Sequence, residues 1–516
     1  MMDIQVAHYR PSLRTIKARH LATAPLHSDQ GRKRCTGEDA SMTASAPPEP
    51  LPRPPEQSVL LTDLYQLSML QAYHHHGMHG IAAFELFFRK LPAGRSFLVC
   101  AGLEQALHWV ESLAFQPSEI DWLARTGRFR PDFLRALEGL RFTGEIAAIA
   151  EGTPVFANEP VLRVTAPIMQ AQLLESRLMN LIHFQTLIAS KAARCVLAAD
   201  GASVIEFGLR RAHGAEAALL ASRAAYLAGF DATSNALAGL SFGLPVTGTM
   251  AHAYIQAHPA EALAFEHFAE ANPEGLVFLI DTYDIEQGAH RAAAVARHLA
   301  DRGIALAGVR IDSGNLAMMS RRVRAILDES GLSSTRILVS GNLDEWQIAS
   351  LRAVRAPIDV YCVGTALSTS TDHAALDCAY KLVEYAGRPT AKRSPGKLTL
   401  PGRKQVWRHT GASGLIDSDE ITLSATAHRS PHPARAHALL EPVMEAGGRI
   451  APSKSIEEIR QFCRAQLATL PPALRKLDGR ESLPVTLSDE LTIAMASPHG
   501  PTHRRDPRRR RRLSAR

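Results

Sequence analysis

The run Leu276-Val277-Phe278-Leu279-Ile280-Asp281-Thr282-Tyr283-Asp284 sets the pattern of the fold. A short apolar stretch of strand-favouring residues ends abruptly in polar ones, and a helical pattern follows to Arg302. The same order recurs downstream. Ala305-Leu306-Ala307-Gly308-Val309 runs into Arg310, Asp312, Ser313 and Gly314, then a helix to Glu329. Arg336-Ile337-Leu338-Val339 runs into Ser340-Gly341-Asn342-Leu343-Asp344-Glu345, and Ile358-Asp359-Val360-Tyr361-Cys362-Val363 into Gly364-Thr365. Upstream, Val204-Ile205-Glu206-Phe207 leads to Gly208, Arg210, Arg211 and His213, then an Ala-rich helix to Gly229. Strands that are apolar along their whole length are covered on both faces, and amphipathic helices between them supply the cover. Such units in series favour a parallel α/β barrel over a doubly wound sheet. No G-x-G-x-x-G follows any of these strands, which argues against a dinucleotide fold.

In a barrel the working residues sit where strands end. Here those positions hold Arg210, Arg211, His213, Asp281, Asp284, Arg310, Asp312, Ser340, Asn342 and Thr365. Each has an ordinary structural use, since Asp and Ser cap helices and Arg pairs with carboxylates. Arginines and aspartates at successive strand ends exceed what a purely structural barrel needs. The Ser340-Gly341-Asn342 and Gly364-Thr365 turns each open toward a helix, where backbone amides suit a phosphate. The arginines suit an anion or a planar carboxylate, and Asp281 and Asp312 suit Mg²⁺ or the hydroxyls of a sugar phosphate. These residues describe an enzyme acting on a phosphorylated, anionic small molecule. Pro245-Val246-Thr247-Gly248-Thr249-Met250-Ala251-His252-Ala253-Tyr254 stands outside the repeats. It reads as a short extended run, a sharp turn at Gly248, and three polar groups (Thr247, Thr249, His252) within one helical turn of each other. A lone histidine is more often structural than catalytic; the strand ends that follow it shift the balance toward chemistry.

Outward from this centre, Gln170 to Ala199 reads as one long helix, and Gly144 to Val164 as strands alternating with turns. Phe84 to Arg89 reads as a strand, and 102–113 and 131–140 as helices. A helix capped by Thr62 or Asp63 carries Leu64, Leu67 and Leu70 on its apolar face. His74, His75, His76 and His79 follow, but consecutive helical residues point about 100° apart and cannot all face one ion. Six scattered cysteines without a C-x-x-C pair read as reduced thiols, neither a disulfide framework nor a zinc site. The net charge of +7 equals that of the segment from Ser497 to Arg516 alone. The body is therefore close to neutral, and neither a nucleic-acid nor a membrane partner is expected. The Arg508–Arg512 run is read as a charged tail, and 1–57 as a Pro/Ser/Ala-rich disordered leader. No run reaches the length of a membrane span and no apolar secretory core is present, so a cytoplasmic location is expected.

The residues that carry a family resemblance are Thr62-Asp63-Leu64-Tyr65-Gln66, Glu206-Phe207-Gly208-Leu209-Arg210-Arg211, Gly248-Thr249-Met250-Ala251-His252 and Asp281-Thr282-Tyr283. Val309-Arg310-Ile311-Asp312-Ser313-Gly314, Ser340-Gly341-Asn342-Leu343-Asp344 and Gly364-Thr365 complete the set. In this order and spacing, from about Leu60 to Leu491, they closely resemble the nicotinate phosphoribosyltransferases, of the type II phosphoribosyltransferase fold. The resemblance implies an incomplete, TIM-like α/β barrel (201–380) and a second α/β domain. That second domain is built from an N-terminal segment (58–200) and a C-terminal one (381–496), and the assembly is a homodimer. It implies ATP-coupled transfer of a phosphoribosyl group from phosphoribosyl pyrophosphate to nicotinate for NAD biosynthesis, with Mg²⁺. His252 falls on the histidine the family phosphorylates, with Asp281 and Asp312 as its acidic companions and tentative metal ligands. Tyr65, Thr249 and Arg310 fall on positions associated with nicotinate, Tyr65 reaching the neighbouring subunit's site, and Arg210 is read as a further substrate-binding residue. Thr365 falls on a position associated with the phosphoribosyl donor, and Ser340, Gly341, Asn342 and Gly364 are read beside it as the late-loop phosphate site. The family often has Asp where this chain has Asn315, which puts metal affinity in doubt. The rival readings are a quinolinate or nicotinamide phosphoribosyltransferase, another Mg²⁺-dependent barrel enzyme, or a nucleic-acid binder using the Arg-rich tail.

Overall fold

The structure, a computed structural model, describes residues 54–392, 399–426, 428 and 433–496. The tail 497–516 and nearly all of the leader 1–57 lie outside the described residues. Six strands form one parallel sheet: β1 (Ser203–Glu206), β2 (Ala232–Thr233), β3 (Leu276–Leu279), β4 (Leu306–Ile311), β5 (Arg336–Val339) and β6 (Val360–Val363). Their hydrogen-bonded order is β2-β1-β6-β5-β4-β3. The strands therefore follow one another in chain order around a ring whose one missing closure falls between β2 and β3. This is the incomplete barrel. Val309, Ile311, Ile337, Val339 and Val363 are fully buried with the surrounding helices, while Ile205, Leu338, Val360 and Cys362 form a separate small cluster on the other face. Burial on both faces is why these strands read as unbroken apolar runs.

The missing closure is spanned by residues 245–250. Thr233 N–H donates to the Pro245 carbonyl at 3.0 Å, Thr247 N–H donates back to Thr233 at 3.0 Å, and the Thr249 hydroxyl donates to the Val277 carbonyl at 2.8 Å. One stretch thus clips β2 to β3 without becoming a strand. The extended run read from the sequence reduces to a single bridge between Thr233 and Val246. Gly248 is not among the glycines at positive φ, and a Cβ there would meet open space. The turn does not require glycine.

The second sheet joins the two ends of the chain. Ile81–Phe88 lies between Pro160–Pro167 and Cys378–Tyr385, and Glu145–Ile149 pairs with Leu440–Glu445. Seven strands result, three N-terminal ones at the centre flanked on each side by two C-terminal ones. A further four-stranded sheet, which the sequence reading did not anticipate, is built from residues 404–487. The N-terminal helix Leu64–His75 buries Leu67 and Leu70 but leaves Leu64 exposed. Helix Pro117–Arg125, also unanticipated, starts with Pro at its first turn and a reciprocal Gln116/Glu119 capping box. The long helical stretch starts earlier than expected, at Ile168, and divides at Leu174 into Ile168–Leu173 and α1 (Glu175–Ala199).

Candidate active site

Strand ends converge at the mouth of the half-barrel. Just past β3, Asp281 Oδ2 accepts from the Asp312 N–H at 2.9 Å and from the Ser313 hydroxyl at 2.6 Å. Just past β4, Asp312 Oδ1 accepts from the Ser340 hydroxyl at the end of β5. Neighbouring strand tips are thus tied by side chain to backbone and side chain to side chain. His252 opens a short helix, His252–Gln256, placed by the 245–250 clip. Its Nδ1 lies 3.1 Å from the Thr282 hydroxyl and its Nε2 3.8 Å from Asp312 Oδ2. The imidazole is 39% exposed, held on one edge and open on the other. Thr282, to which the sequence reading gave no role, is the group that fixes it.

Arg310 comes from β4. One guanidinium nitrogen donates to the Met250 carbonyl at 3.1 Å, and the cation lies 6.0 Å from the Phe207 ring centroid. Its Nε is buried with no partner, and no carboxylate pairs with it among the described residues. Pairing with a carboxylate, the ordinary structural use of an arginine, is therefore not what the structure holds for Arg310. Arg210 and Arg211 lie exposed on the turn Leu209–Arg211 past β1, with no ion-pair partner among the described residues, and His213 is exposed beside them. Beneath this corner the buried Glu206 carboxylate accepts from the Gly208 N–H and from the hydroxyls of Ser222 and Thr233, at 2.9 and 2.5 Å for the hydroxyls.

Several expected site residues also make contacts that hold the architecture. The Thr249 hydroxyl is spent on Val277, and Ser340 is buried holding Asp312. Asp284 caps the helix Ile285–Ala300 by accepting from the Gln287 N–H at 2.9 Å. Gly341 sits at φ +96°, where an added Cβ would lie 2.2 Å from the Asp312 carbonyl oxygen. A Cβ on Gly364 would lie 2.9 Å from the Phe207 carbonyl oxygen. Both glycines permit loops to touch. Asn342 (φ +54°) is exposed and Thr365 part-exposed, so both remain available at the rim. Asn315 Oδ1 caps the helix Leu316–Glu329 at 3.1 Å from the Met318 nitrogen. Its oxygen does the work an aspartate would do there.

Asp281 Oδ1 is buried and has no hydrogen-bond partner, and Asp312 Oδ2 faces His252 and solvent. An orphaned carboxylate oxygen beside a second carboxylate fits a hard divalent cation such as Mg²⁺, with ligand phosphates and water completing the shell. Tyr65 lies elsewhere. It is half-exposed and lines a cavity of about 420 Å³ with Asp63, Glu175, Ser176, Asn180, His183 and Cys378, a group that includes none of the strand-end residues at the half-barrel mouth. Burial, then the nearby Glu175 and Asp63 carboxylates, raise the Tyr65 hydroxyl above its usual pKa and keep it a donor.

Family profiles of the nicotinate phosphoribosyltransferase N-terminal domain and C-terminal domain match residues 60–183 and 424–494. A nicotinate phosphoribosyltransferase of Mycobacterium tuberculosis is 44% identical over 439 residues, covering 85% of this chain and 93% of the relative. One of Bacillus subtilis is 40% identical, covering 84% and 93%. The chain belongs to the nicotinate phosphoribosyltransferase family. It is a transferase enzyme. The crystal structure of human nicotinic acid phosphoribosyltransferase superposes with a TM-score of 0.78 at 29% identity, over 85% of this chain and all of that one. No helix among the described residues is long and apolar enough to cross a membrane.

Proposed function

We propose that the enzyme transfers the phosphoribosyl group of phosphoribosyl pyrophosphate to nicotinate, coupled to ATP through phosphorylation of His252. The observation that carries this reading is the His252 imidazole at the mouth of the half-barrel, oriented by Thr282, with Asp312 beside its other nitrogen. Imidazole is a competent phosphoryl acceptor: a nitrogen–phosphorus bond forms as the bond between the γ-phosphorus of ATP and its bridging oxygen breaks, releasing ADP. The phosphohistidine adds negative charge and acceptors to the mouth until water removes the phosphoryl group as phosphate. In the transfer itself, the nicotinate ring nitrogen bonds to the ribosyl C1 as the bond to pyrophosphate breaks. Arg310 would receive the nicotinate carboxylate, and Arg210, Asn342 and Thr365 the phosphates of the donor. Asp281 and Asp312 would hold Mg²⁺, which supplies charge neutralisation for the pyrophosphate. Tyr65 is assigned to the partner's site in a homodimer, because the cavity it lines within its own subunit lacks every residue of the half-barrel mouth.

Product analysis with nicotinate and phosphoribosyl pyrophosphate, with and without ATP, tests the reaction. Nicotinate mononucleotide formed faster with ATP is the expected result. Label from γ-phosphoryl ATP should appear as an acid-labile adduct that His252→Ala lacks, together with loss of the ATP stimulation. An adduct of equal size in the variant would place the phosphoryl group elsewhere and leave His252 structural.

A further inference from the structure

The four-stranded C-terminal sheet carries a feature the transferase reaction does not use. Strands β7 (Lys404–Thr410) and β8 (Ile416–Leu423) pair antiparallel, with Trp407 opposite Glu420 and Arg408 opposite Asp419. Because side chains alternate across a strand, the two faces separate cleanly. One face is internal, where the buried Arg408 grips Asp419 through hydrogen bonds of 2.6 and 3.0 Å. The other face presents Trp407, His409 and Glu420 together. His428 lies against this face, its ring stacked on Trp407 at 4.1 Å between centroids and 8° between planes. The stack fixes the imidazole so that its Nε2 lies 3.2 Å from Glu420 Oε2, and His409 Nε2 lies 4.0 Å from the same oxygen. All three potential ligand atoms fall within 4.8 Å of one another, and His428 is only 7% exposed.

We propose that His409, Glu420 and His428 form a binding site for a divalent transition-metal ion of the zinc type, separate from the half-barrel mouth. Two imidazole nitrogens and one carboxylate oxygen are a zinc donor set, whereas Mg²⁺ prefers oxygen ligands throughout. Zinc bonds of about 2.0–2.2 Å put tetrahedral ligand atoms about 3.3–3.6 Å apart. The 3.2 Å between His428 and Glu420 falls just short of this range, and His409 has to close on Glu420 from 4.0 Å by roughly half an ångström, which a side-chain rotation provides. Glu420 and His409 are part-exposed, which leaves a fourth position for water. The three residues fall within one short stretch of the chain but form no recognisable zinc-spacing motif, so the sheet register and the Trp407 stack are what bring them together. By contrast, among the described residues the His74, His75, His76 and His79 run belongs to no such convergent group.

The test uses the full-length protein stripped with a chelator and titrated with Zn²⁺ against a chromophoric competitor. One equivalent is expected to bind tightly. In His409→Asn/His428→Asn its affinity should fall by at least about 100-fold, the order expected when ligands rather than their supports are removed. His428→Phe keeps a ring on Trp407 and should lose the same affinity while folding normally by circular dichroism. His437→Asn, on the adjoining strand but opposite Arg408 and so on the other face, should bind like the parent. Co²⁺ should give the intense visible bands of a four-coordinate site in the parent and not in His428→Phe. If the parent and His428→Phe take up the same number of equivalents with the same affinity, the proposal is overturned. A parent that binds no tight equivalent overturns it as well.

Discussion

The sharpest residue-scale consequence concerns Arg310. Nicotinate and nicotinamide share the attacking ring nitrogen and differ in carboxylate against neutral amide, so only a group that gains from charge can tell them apart. The Arg310 guanidinium has a backbone carbonyl on one side and no carboxylate partner among the described residues. Losing a desolvated charge pair costs about 2–5 kcal/mol, or roughly thirty- to several-thousand-fold. Arg310→Gln should lower kcat/KM for nicotinate by that order while leaving nicotinamide nearly unchanged. Arg310→Lys should restore part of the loss, because an ammonium lacks the planar fork. Equal losses for acid and amide would assign Arg310 to the architecture of the rim. Most of these residues were legible in the sequence, because a polar residue that ends an apolar strand declares its position. Their individual duties were not. Whether a hydroxyl faces a ligand or a neighbouring carbonyl depends on packing, and Thr249 and Ser340 both face inward to the protein.

At the scale of elements, the loops after β4 and β5 touch so closely that Gly341 is a structural requirement. Gly341→Ala combines a left-handed backbone with a clash against Asp312, which should cost about 2–4 kcal/mol. It should also weaken nicotinate and donor together, because Asp312 moves. Thr365→Ala disturbs no such contact, so its effect should fall on the KM of the donor alone, by about tenfold or more for a hydrogen bond to a charged group. Steady-state kinetics with each substrate varied, beside thermal melts, separates the two patterns. The long helix α1 is held differently, through charges. Lys191 meets Glu345 at 2.7 Å and Asp372 at 2.9 Å, and Arg95 meets Asp372 at 2.9 Å. Burial alone would raise the Asp372 carboxyl, but Arg95 and Lys191 outweigh it and hold the group well below the usual carboxylate range. A depressed folded value contributes stability above the unfolded value, near 4, and that stability is lost as pH falls through the folded value. Asp372→Asn should therefore lower stability at pH 7 by about 1–3 kcal/mol once partial exposure is allowed for, read as a lower Tm. The gap to the parent should narrow in acid. A gap that does not change with pH would mean the pair is not what stabilises this junction. The helix itself was readable from its leucines. The ion pairs were not, since their partners come from distant segments.

On the scale of the whole molecule, chain order alone explains the half-barrel. Its strands follow in sequence around the ring and leave one closure to the 245–250 clip. The joining of N-terminal and C-terminal strands in the second sheet could be drawn only from the family resemblance, because antiparallel partners separated by hundreds of residues leave no local trace in sequence. Tyr65 belongs to that second domain, and its own cavity contains none of the residues of the half-barrel mouth. If Tyr65 completes the neighbouring subunit's site, a two-fold dimer has two sites, each combining Tyr65 of one chain with His252 of the other. Chains carrying Tyr65→Ala and chains carrying His252→Ala should then complement each other. Each homodimer has two damaged sites, but a mixed dimer has one site damaged twice and one intact. Random mixing makes half of the dimers mixed, so about a quarter of all sites should regain parental behaviour, as the isologous geometry requires. The readout is ATP-stimulated turnover at limiting nicotinate after the two variants are co-refolded. Tyr65 acting within its own subunit predicts the opposite. Every site in the mixture would then carry one lesion or the other, and turnover would stay at the average of the two homodimers at every mixing ratio.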